Sequence, residues 1–524
     1  MMGSRVPSLP RTLAYLPAGR IQSGTAIART SCSDNLFHPS WHLAFPIHPD
    51  MKNHLLVLLL FVAPLLRAEE ARRPNILLIA ADDLNHWVGY TGRNKQTKTP
   101  NIDRLSARGL SFTNAHATVP VCNGSRSSLL SGVRPYTSGV YGNGDDWRKV
   151  IPPEKTLISV FRQAGYLTLG SGKIYHGAYD RKSEWDDYLQ NEGPMGPSPA
   201  GSKGVGGIRF GAVDADDSEL SDHRIVDYGI AQLQKKHDKP FLLTVGLHKP
   251  HMPWFVPKKY FDLHPLESIE LPPIQENDLA DVPEAGVAFA RPKGDHRQII
   301  ESGRWKEAIQ AYLAAVSYAD AEIGRLLDAL DASSYREDTI VILLGDHGWH
   351  LGEKEHWRKF ALWEEATRAP YIWVVPGLTK PGTLSTRPVD FSSLYPTLTE
   401  LAGIPRPSHV EGDNIHRLLE DPAAEWKGYA LSTWLQGNHS IRTEQWRYTR
   451  YADGSEELYD HLSDPYEWKN LAKDESQASV KRELAALLPD HNAAGLTNGD
   501  GWQDAGRGNA RRAAADSEGD TDPD

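Results

Sequence analysis

Pro74-Asn75-Ile76-Leu77-Leu78-Ile79-Ala80-Ala81-Asp82-Asp83 is a continuous apolar run of strand length that ends in two adjacent carboxylates. Continuous rather than alternating burial predicts a strand covered on both faces, as in a parallel sheet with helices on either side. An Asp pair at the end of a strand is most often a solvated turn or a helix cap. Here a second stretch repeats the pattern far downstream: Thr339-Ile340-Val341-Ile342-Leu343-Leu344-Gly345 ends in Asp346-His347-Gly348. Open α/β sheets carry their ligands at the C-terminal ends of their strands. Two core strands that both empty into acidic or imidazole groups fit one shared cation better than two unrelated turns. Oxygen donors predominate in the set Asp82, Asp83, Asp346 and His347, so a hard divalent ion is expected in preference to zinc.

Outward from these two strands the chain alternates helical and strand patterns. Lys155 to Gly165 has helical spacing, and Leu167 to Gly170 reads as a short strand leading into Gly172-Lys173-Ile174-Tyr175-His176-Gly177. A loop rich in Gly, Pro and Ser follows at 191–207. Leu220 to Lys236 predicts a helix. Pro240 to Leu247 predicts another buried strand, which delivers His248-Lys249-Pro250-His251-Met252-Pro253 at its end. Arg304 to Leu330, Tyr312 included, has apolar residues at helical spacing and reads as core-facing. Ala369 to Val375 predicts a strand, and Val389 to Gly403 a helix that closes a large domain at 69–403. Residues 404–485 predict a smaller α+β domain, with strands at Ala430–Leu435 and Trp446–Arg450 and a turn at Asp453-Gly454. The tail at 486–524 has no hydrophobic period, least of all from Ala493 onward, and predicts disorder.

Of the 524 residues, the first fifty have no pattern and read as an over-long start. Met51 to Ala68 has the form of a signal peptide: a short cationic stretch, the apolar run Leu55 to Leu66, and a small residue at the cleavage point. The run is too short to span a bilayer. A mature chain beginning near Glu69 and located in the periplasm or outside the cell is therefore expected. Residues 1–68 carry six basic and two acidic side chains, so the 57 basic and 68 acidic groups of the whole chain fall to 51 and 66, net −15. Such a balance argues against nucleic acid as a partner, and an anionic substrate must be met by local basic groups. Of Cys32 and Cys122 only the second survives cleavage, and a sole cysteine in an exported chain cannot form an internal disulfide.

Cys122 precedes a run that can start a helix, Asn123-Gly124-Ser125-Arg126-Ser127-Ser128-Leu129-Leu130-Ser131-Gly132. The free N–H groups and positive dipole end of the first turn suit an anion there. Arg126 adds a permanent charge with a planar donor fork.

With these motifs together, the chain resembles a type I sulfatase of the alkaline phosphatase superfamily from about Pro74 to about Ala472. It looks closest to the iduronate-2-sulfatase-like branch, through Gly172 to Gly177, His248 to Pro253 and Gly345-Asp346-His347-Gly348-Trp349-His350-Leu351-Gly352-Glu353. The resemblance implies an α/β fold: a large mixed, mostly parallel sheet sandwiched by helices, with a smaller C-terminal α+β domain. It implies that Cys122 is oxidised to Cα-formylglycine by a cytoplasmic formylglycine-generating or sulfatase-maturating enzyme. It further implies that Asp82, Asp83, Cys122, Asp346 and His347 hold a divalent cation, Ca²⁺ by family habit with Mg²⁺ and Mn²⁺ as alternatives. Arg126, Lys173 and Lys359 would bracket the sulfate, His248 would protonate the leaving alcohol with Lys359 alongside, and His176 would act as base. Lys249, His251, Trp254 and Arg358 would hold the sugar of a sulfated carbohydrate, a 2-O-sulfated uronic acid being one candidate. Family members carry Pro or Ala where this chain has Gly124, and proline there is expected to preserve or raise the modified fraction. Two other readings stand beside this one: a phosphodiesterase or phosphonate monoester hydrolase on the same scaffold, and a glycan-binding protein with Cys122 left unmodified.

Overall fold

The structure, a computed structural model, describes residues 73–497 except 191–192, 194–195, 201–203 and 427. The expected over-long start at 1–50, the expected signal peptide at 51–68 and the tail beyond 497 lie outside the described residues.

The strand Asn75–Ala81 is buried at every position, as its continuous apolar sequence requires. It lies near the middle of an eight-stranded sheet, flanked by Phe241–Leu247 on one side and Thr339–Gly345 on the other, both parallel to it. Leu167–Gly172 and then Asp187–Leu189 extend the sheet in parallel beyond Phe241–Leu247. Beyond Thr339–Gly345, Tyr371–Val374 runs antiparallel, followed by Leu110–Phe112 and Thr383–Ser385. The sheet is thus mixed and mostly parallel.

Alternate residues of the central strand enter two separate cores. Leu77, Ile79 and Ala81 pack with the long helix Trp305–Ala332 and with Ser221–Gln234. Ile76, Leu78 and Ala80 pack on the other face with residues of Cys122–Ser131, Leu157–Gln163 and Leu394–Leu401. Both faces are covered, so a strand apolar at every position buries all its side chains.

Two expectations need correction. The helix expected from Val389 begins at Leu394, because Val389–Asp390 pairs with Ala115–His116 and the Asp390 carboxylate accepts the Ser392 N–H at 3.1 Å, capping a short 3₁₀ turn first. The tail expected to lack structure from 486 is held as far as 497: the Ala493 N–H donates to the Tyr136 carbonyl at 2.7 Å, and the Thr497 N–H to Asp145 at 3.0 Å.

Residues 430–460 form a four-stranded antiparallel sheet in the order Ala430–Thr433, His439–Arg442, Trp446–Arg450 and Glu456–Asp460. The turn at Asp453-Gly454 joins the last two strands, with Gly454 at φ 85°, a conformation that suits glycine. No helix among the described residues is long and apolar enough to cross a membrane.

Candidate active site

The C-terminal ends of three neighbouring strands supply most of the site. Past Asn75–Ala81, the Asp82 N–H still bonds to the Leu247 carbonyl at 3.1 Å, and past Thr339–Gly345 the Asp346 N–H bonds to the Ala81 carbonyl at 3.1 Å. Continuing the ladder in this way brings Asp82, Asp83, Asp346 and His347 to one edge, although the pairs are far apart in sequence. The Lys173 N–H bonds to the Gly246 carbonyl at 2.9 Å and places the Lys173 loop beside them. The helix Cys122–Ser131 approaches from the second core, with Cys122 as its first residue, extended Val121 before it, and Gly132 in the left-handed conformation ending it. Ser125 Oγ donates to the Asp346 carbonyl at 2.5 Å and locks this helix to the strand end.

Cys122 Sγ is wholly buried and sits 2.9 Å from Lys359 Nζ and 3.3 Å from His347 Nε2. Lys359 Nζ also lies 2.7 Å from Asp83 Oδ1. Lys173 Nζ is 2.7 Å from Asp82 Oδ2, and Arg126 Nε is 2.8 Å from Asp346 Oδ2. His347 Nε2 lies 3.4 Å from Asp83 and 3.5 Å from Asp346. Three carboxylates therefore face three permanent cations around one sulfur. A dication on the carboxylate side would free Arg126, Lys173 and Lys359 to meet an anion.

The electrostatics follow from this packing. Burial pushes the Asp82 carboxyl up, but Lys173, His251, Arg126 and Lys359 together hold it well below its usual value. Asp83 is raised, chiefly by burial. Burial works to lower His347, yet Asp346 beside it lifts the ring to about 9. Burial and then Lys173 hold His248 well below the ordinary imidazole range.

Ligand atoms of Asp82, Cys122, Asp346 and His347 lie within 4.8 Å of one another, and so do those of Asp82, Asp83, Cys122 and His251. Asp83 Oδ2 is buried and accepts no hydrogen bond. A buried carboxylate oxygen without a donor, in an oxygen-rich set, fits a hard dication. A third cluster, Glu364, His461 and Glu467, differs: Arg442 Nε and Arg447 Nη2 lie 3.0 and 2.5 Å from Glu364 Oε2, and Arg447 Nε lies 2.5 Å from Glu467 Oε1. Two guanidinium groups already occupy the role of a cation there.

The structure brings Cys122, Arg126, Lys173 and Lys359 together with the carboxylates. His176 is buried on the loop after Lys173, and His248 is buried at the end of Phe241–Leu247 with both ring nitrogens lacking hydrogen-bond partners. The residues expected to hold a sugar behave differently from one another. Trp254 is wholly buried, donates from Nε1 to the Pro250 carbonyl at 2.7 Å, and packs edge-on to Tyr312 and Trp349, so it offers no face to a sugar. The strand Trp254–Pro257 is buried throughout, and Trp254 at its start packs into the core. His251 Nε2 lies 3.9 Å from Asp83 Oδ2, on the carboxylate side of the site. Lys249 is buried, with Nζ 2.6 Å from the Pro253 carbonyl. Arg358 is partly exposed, and its fork is engaged by Asp295 at 2.6 Å and the Gly207 carbonyl at 2.9 Å.

Asp222 was not singled out by the sequence. Its two oxygens accept the N–H groups of His248 at 2.9 Å and Lys249 at 2.8 Å, fixing the turn that carries the imidazole. No local pattern announces a contact across 26 residues.

The model of the sulfatase family matches residues 74–404, and that of the N-sulphoglucosamine sulphohydrolase C-terminal region matches 352–494. A sulfatase of Formosa agariphila is 38% identical over 454 residues, 81% of this chain and 88% of that protein. Human iduronate 2-sulfatase is 32% identical over 396 residues, 65% of this chain and 71% of that protein. The phosphonate monoester hydrolase of Agrobacterium radiobacter superposes with a TM-score of 0.67 at 22% identity, over 79% of this chain and 94% of that one, which shows a shared fold.

Proposed function

The chain belongs to the sulfatase family, as a type I sulfatase of the alkaline phosphatase superfamily and a sulfuric ester hydrolase, and we propose that it is an exported enzyme acting on a sulfated carbohydrate. The observation that carries the reading is Cys122 Sγ at the start of a helix, 2.9 Å from Lys359 Nζ, at the meeting point of three carboxylates and three basic groups. A 2-O-sulfated uronic acid is the proposed residue, on the strength of the likeness to human iduronate 2-sulfatase. Export is proposed from Met51 to Ala68, with periplasmic or extracellular action.

Asp82, Asp83, Asp346 and His347, with the residue at 122, would hold Ca²⁺, Mg²⁺ or Mn²⁺, and such a cation withdraws charge from sulfate oxygens. Cα-formylglycine, made from Cys122 by a cytoplasmic maturation enzyme, would supply a hydrated aldehyde as the nucleophile towards sulfur. Around these, Arg126, Lys173 and Lys359 orient the ester and stabilise the negative charge that its oxygens gain. His248 donates a proton to the departing alcohol oxygen. Burial and then Lys173 favour the neutral ring in the free site. An anionic ester seated between Lys173 and Lys359 offsets those charges and favours the protonated ring. His176 takes up the proton whose loss accompanies sulfate release.

The test is a mass spectrum of the Cys122 peptide from protein matured in its native host, alongside turnover of a 2-O-sulfated uronate disaccharide and of a phosphate ester. Formylglycine at 122 with selective sulfate release is expected. A free thiol in fully active enzyme would overturn the nucleophile, and preference for the phosphate ester would overturn the substrate class. The phosphonate hydrolase reading rests on fold likeness alone; the unmodified glycan-binding reading fails with the first outcome.

A further inference from the structure

We infer that Tyr312 is a positioning residue whose hydroxyl sets the affinity of the carboxylate cluster for its cation; this rests on the cation site proposed above. Tyr312 lies in the first third of the long helix Trp305–Ala332, wholly buried, its ring edge-on to Trp87 and Trp254. By spacing it is one more core residue. Its hydroxyl, however, donates to the Asp83 carbonyl at 2.9 Å and accepts the Asn85 N–H at 3.0 Å. Between those two peptide groups the chain turns sharply, and Asp83 has φ 59°, in the left-handed region. Few residues with side chains adopt that conformation, Asp among the more readily, and hydrogen bonds to the flanking peptide groups hold it there.

The surroundings can be named. On the N-terminal side of Asp83 its own N–H donates to Asp346 Oδ1 at 3.1 Å, so one candidate ligand pins another. On the C-terminal side the fixing group is the Tyr312 hydroxyl, acting as donor and acceptor at once. Asn85, held by that hydroxyl, also donates from Nδ2 to the Trp349 carbonyl at 3.1 Å, two residues beyond His347. The helix thus braces both strand ends that carry the ligands. Without the phenolic oxygen, the Asp83 carbonyl and the Asn85 N–H would be left without a partner in a dry core, and the turn would relax to find new ones. The Asp83 carboxylate, whose Oδ2 accepts no hydrogen bond, would move with it.

Tyr312→Phe keeps the ring and removes only the oxygen. The control is Tyr318→Phe, on the same helix and equally buried, whose hydroxyl has no hydrogen-bond partner. Chelator-treated full-length protein is titrated with Ca²⁺, Mg²⁺ and Mn²⁺ separately by calorimetry at 25 °C, with circular dichroism confirming that each variant is folded. We expect Tyr312→Phe to weaken binding of the preferred ion by about 10–100-fold, with kcat recovering as that ion is raised, and Tyr318→Phe to stay within about threefold. Unchanged affinity in Tyr312→Phe, or an equal loss in Tyr318→Phe, overturns the brace while leaving the cation site standing. Wild-type protein that binds none of the three ions overturns the cation site, and the brace with it.

Discussion

Two buried clusters in this protein both set carboxylates and a histidine against basic side chains, and they differ in how fully the carboxylate oxygens are satisfied. Around Glu364 and Glu467 every carboxylate oxygen has a donor. Glu364 Oε1 faces Arg368 at 3.2 Å and Oε2 faces Arg442 at 3.0 Å, while Glu467 Oε1 faces Arg447 at 2.5 Å and Oε2 accepts the Glu364 N–H at 2.8 Å. Around Cys122 one oxygen of Asp83 has none, and a histidine with two unpaired ring nitrogens stands at a neighbouring strand end. A closed network holds the 353–368 segment against the C-terminal sheet. An open one has donor and acceptor capacity left for something that arrives. Counting carboxylates and histidines does not separate the two; asking which lone pairs lack a partner does.

The sharpest way to break the comparison is at the sulfur. Cys122→Ala should remove sulfate ester hydrolysis by at least about 10³-fold in kcat/KM, while the melting temperature and the circular dichroism spectrum stay close to those of the parent. Turnover within tenfold of the parent would remove Cys122 from the chemistry. At the carboxylates, Asp346→Asn should lower both bound divalent metal, read by atomic emission, and turnover by about 10–100-fold or more. Retention of full metal content would take Asp346 out of the ligand set.

The closed cluster should respond in the opposite sense. Arg447→Met leaves buried carboxylates facing one guanidinium fewer, and should cost about 3–5 kcal/mol of stability by urea unfolding, with kcat of the folded enzyme changed only a few-fold. The same cluster gives an acid limb. Burial raises Glu467, but Arg447 and His461 bring it down to about 2, and Glu364 is held well below its usual value by Arg442, His461 and Arg447 against burial. Both folded values lie below the unfolded ones. Their stabilisation is therefore complete above about pH 4.5 and lost as the pH falls towards the folded values. Unfolding midpoints measured across that window should drop in the parent and drop less in Arg447→Met.

The smallest effect concerns position 124. A Cβ there would come 2.7 Å from Val119 Cγ1, and Val119 is buried in a cluster with Trp434 and Phe289. Gly124→Pro, which the family pattern suggests as harmless to maturation, should therefore cost about 1–3 kcal/mol in the folded enzyme. The double variant with Val119→Ala should recover most of it. An unchanged melting temperature in Gly124→Pro alone would show that Val119 yields freely.

What was legible in the sequence had short-range causes. Asn75–Ala81 and Thr339–Gly345 could be placed because a strand buried on both faces has to be apolar throughout, and the polar residues at their ends then mark the sheet edge. Side-chain direction was less legible. The position of Trp254 beside His248 to Pro253 suggests a sugar contact, whereas its strand turns the ring into the core. Asp222 and Tyr312 act on His248 and Asp83 through single hydrogen bonds spanning 26 and 229 residues, and nothing in a local pattern encodes such a contact. The late start of the helix at Leu394 came from a cap, Asp390 to Ser392, that competes with helix propensity.

The complete burial of Cys122 also fixes an order of events in time. No second protein can reach a sulfur with zero exposure once Lys359 and His347 have closed over it. Lys359 is made 237 residues after Cys122, which at ribosomal rates of roughly 5–20 residues per second is an interval of about 10–50 s. For the proposed modification and export, a maturation enzyme would have that interval, extended by however long the chain is kept unfolded, and none afterwards. Slowing translation between the two positions should raise the modified fraction, and accelerating folding should lower it.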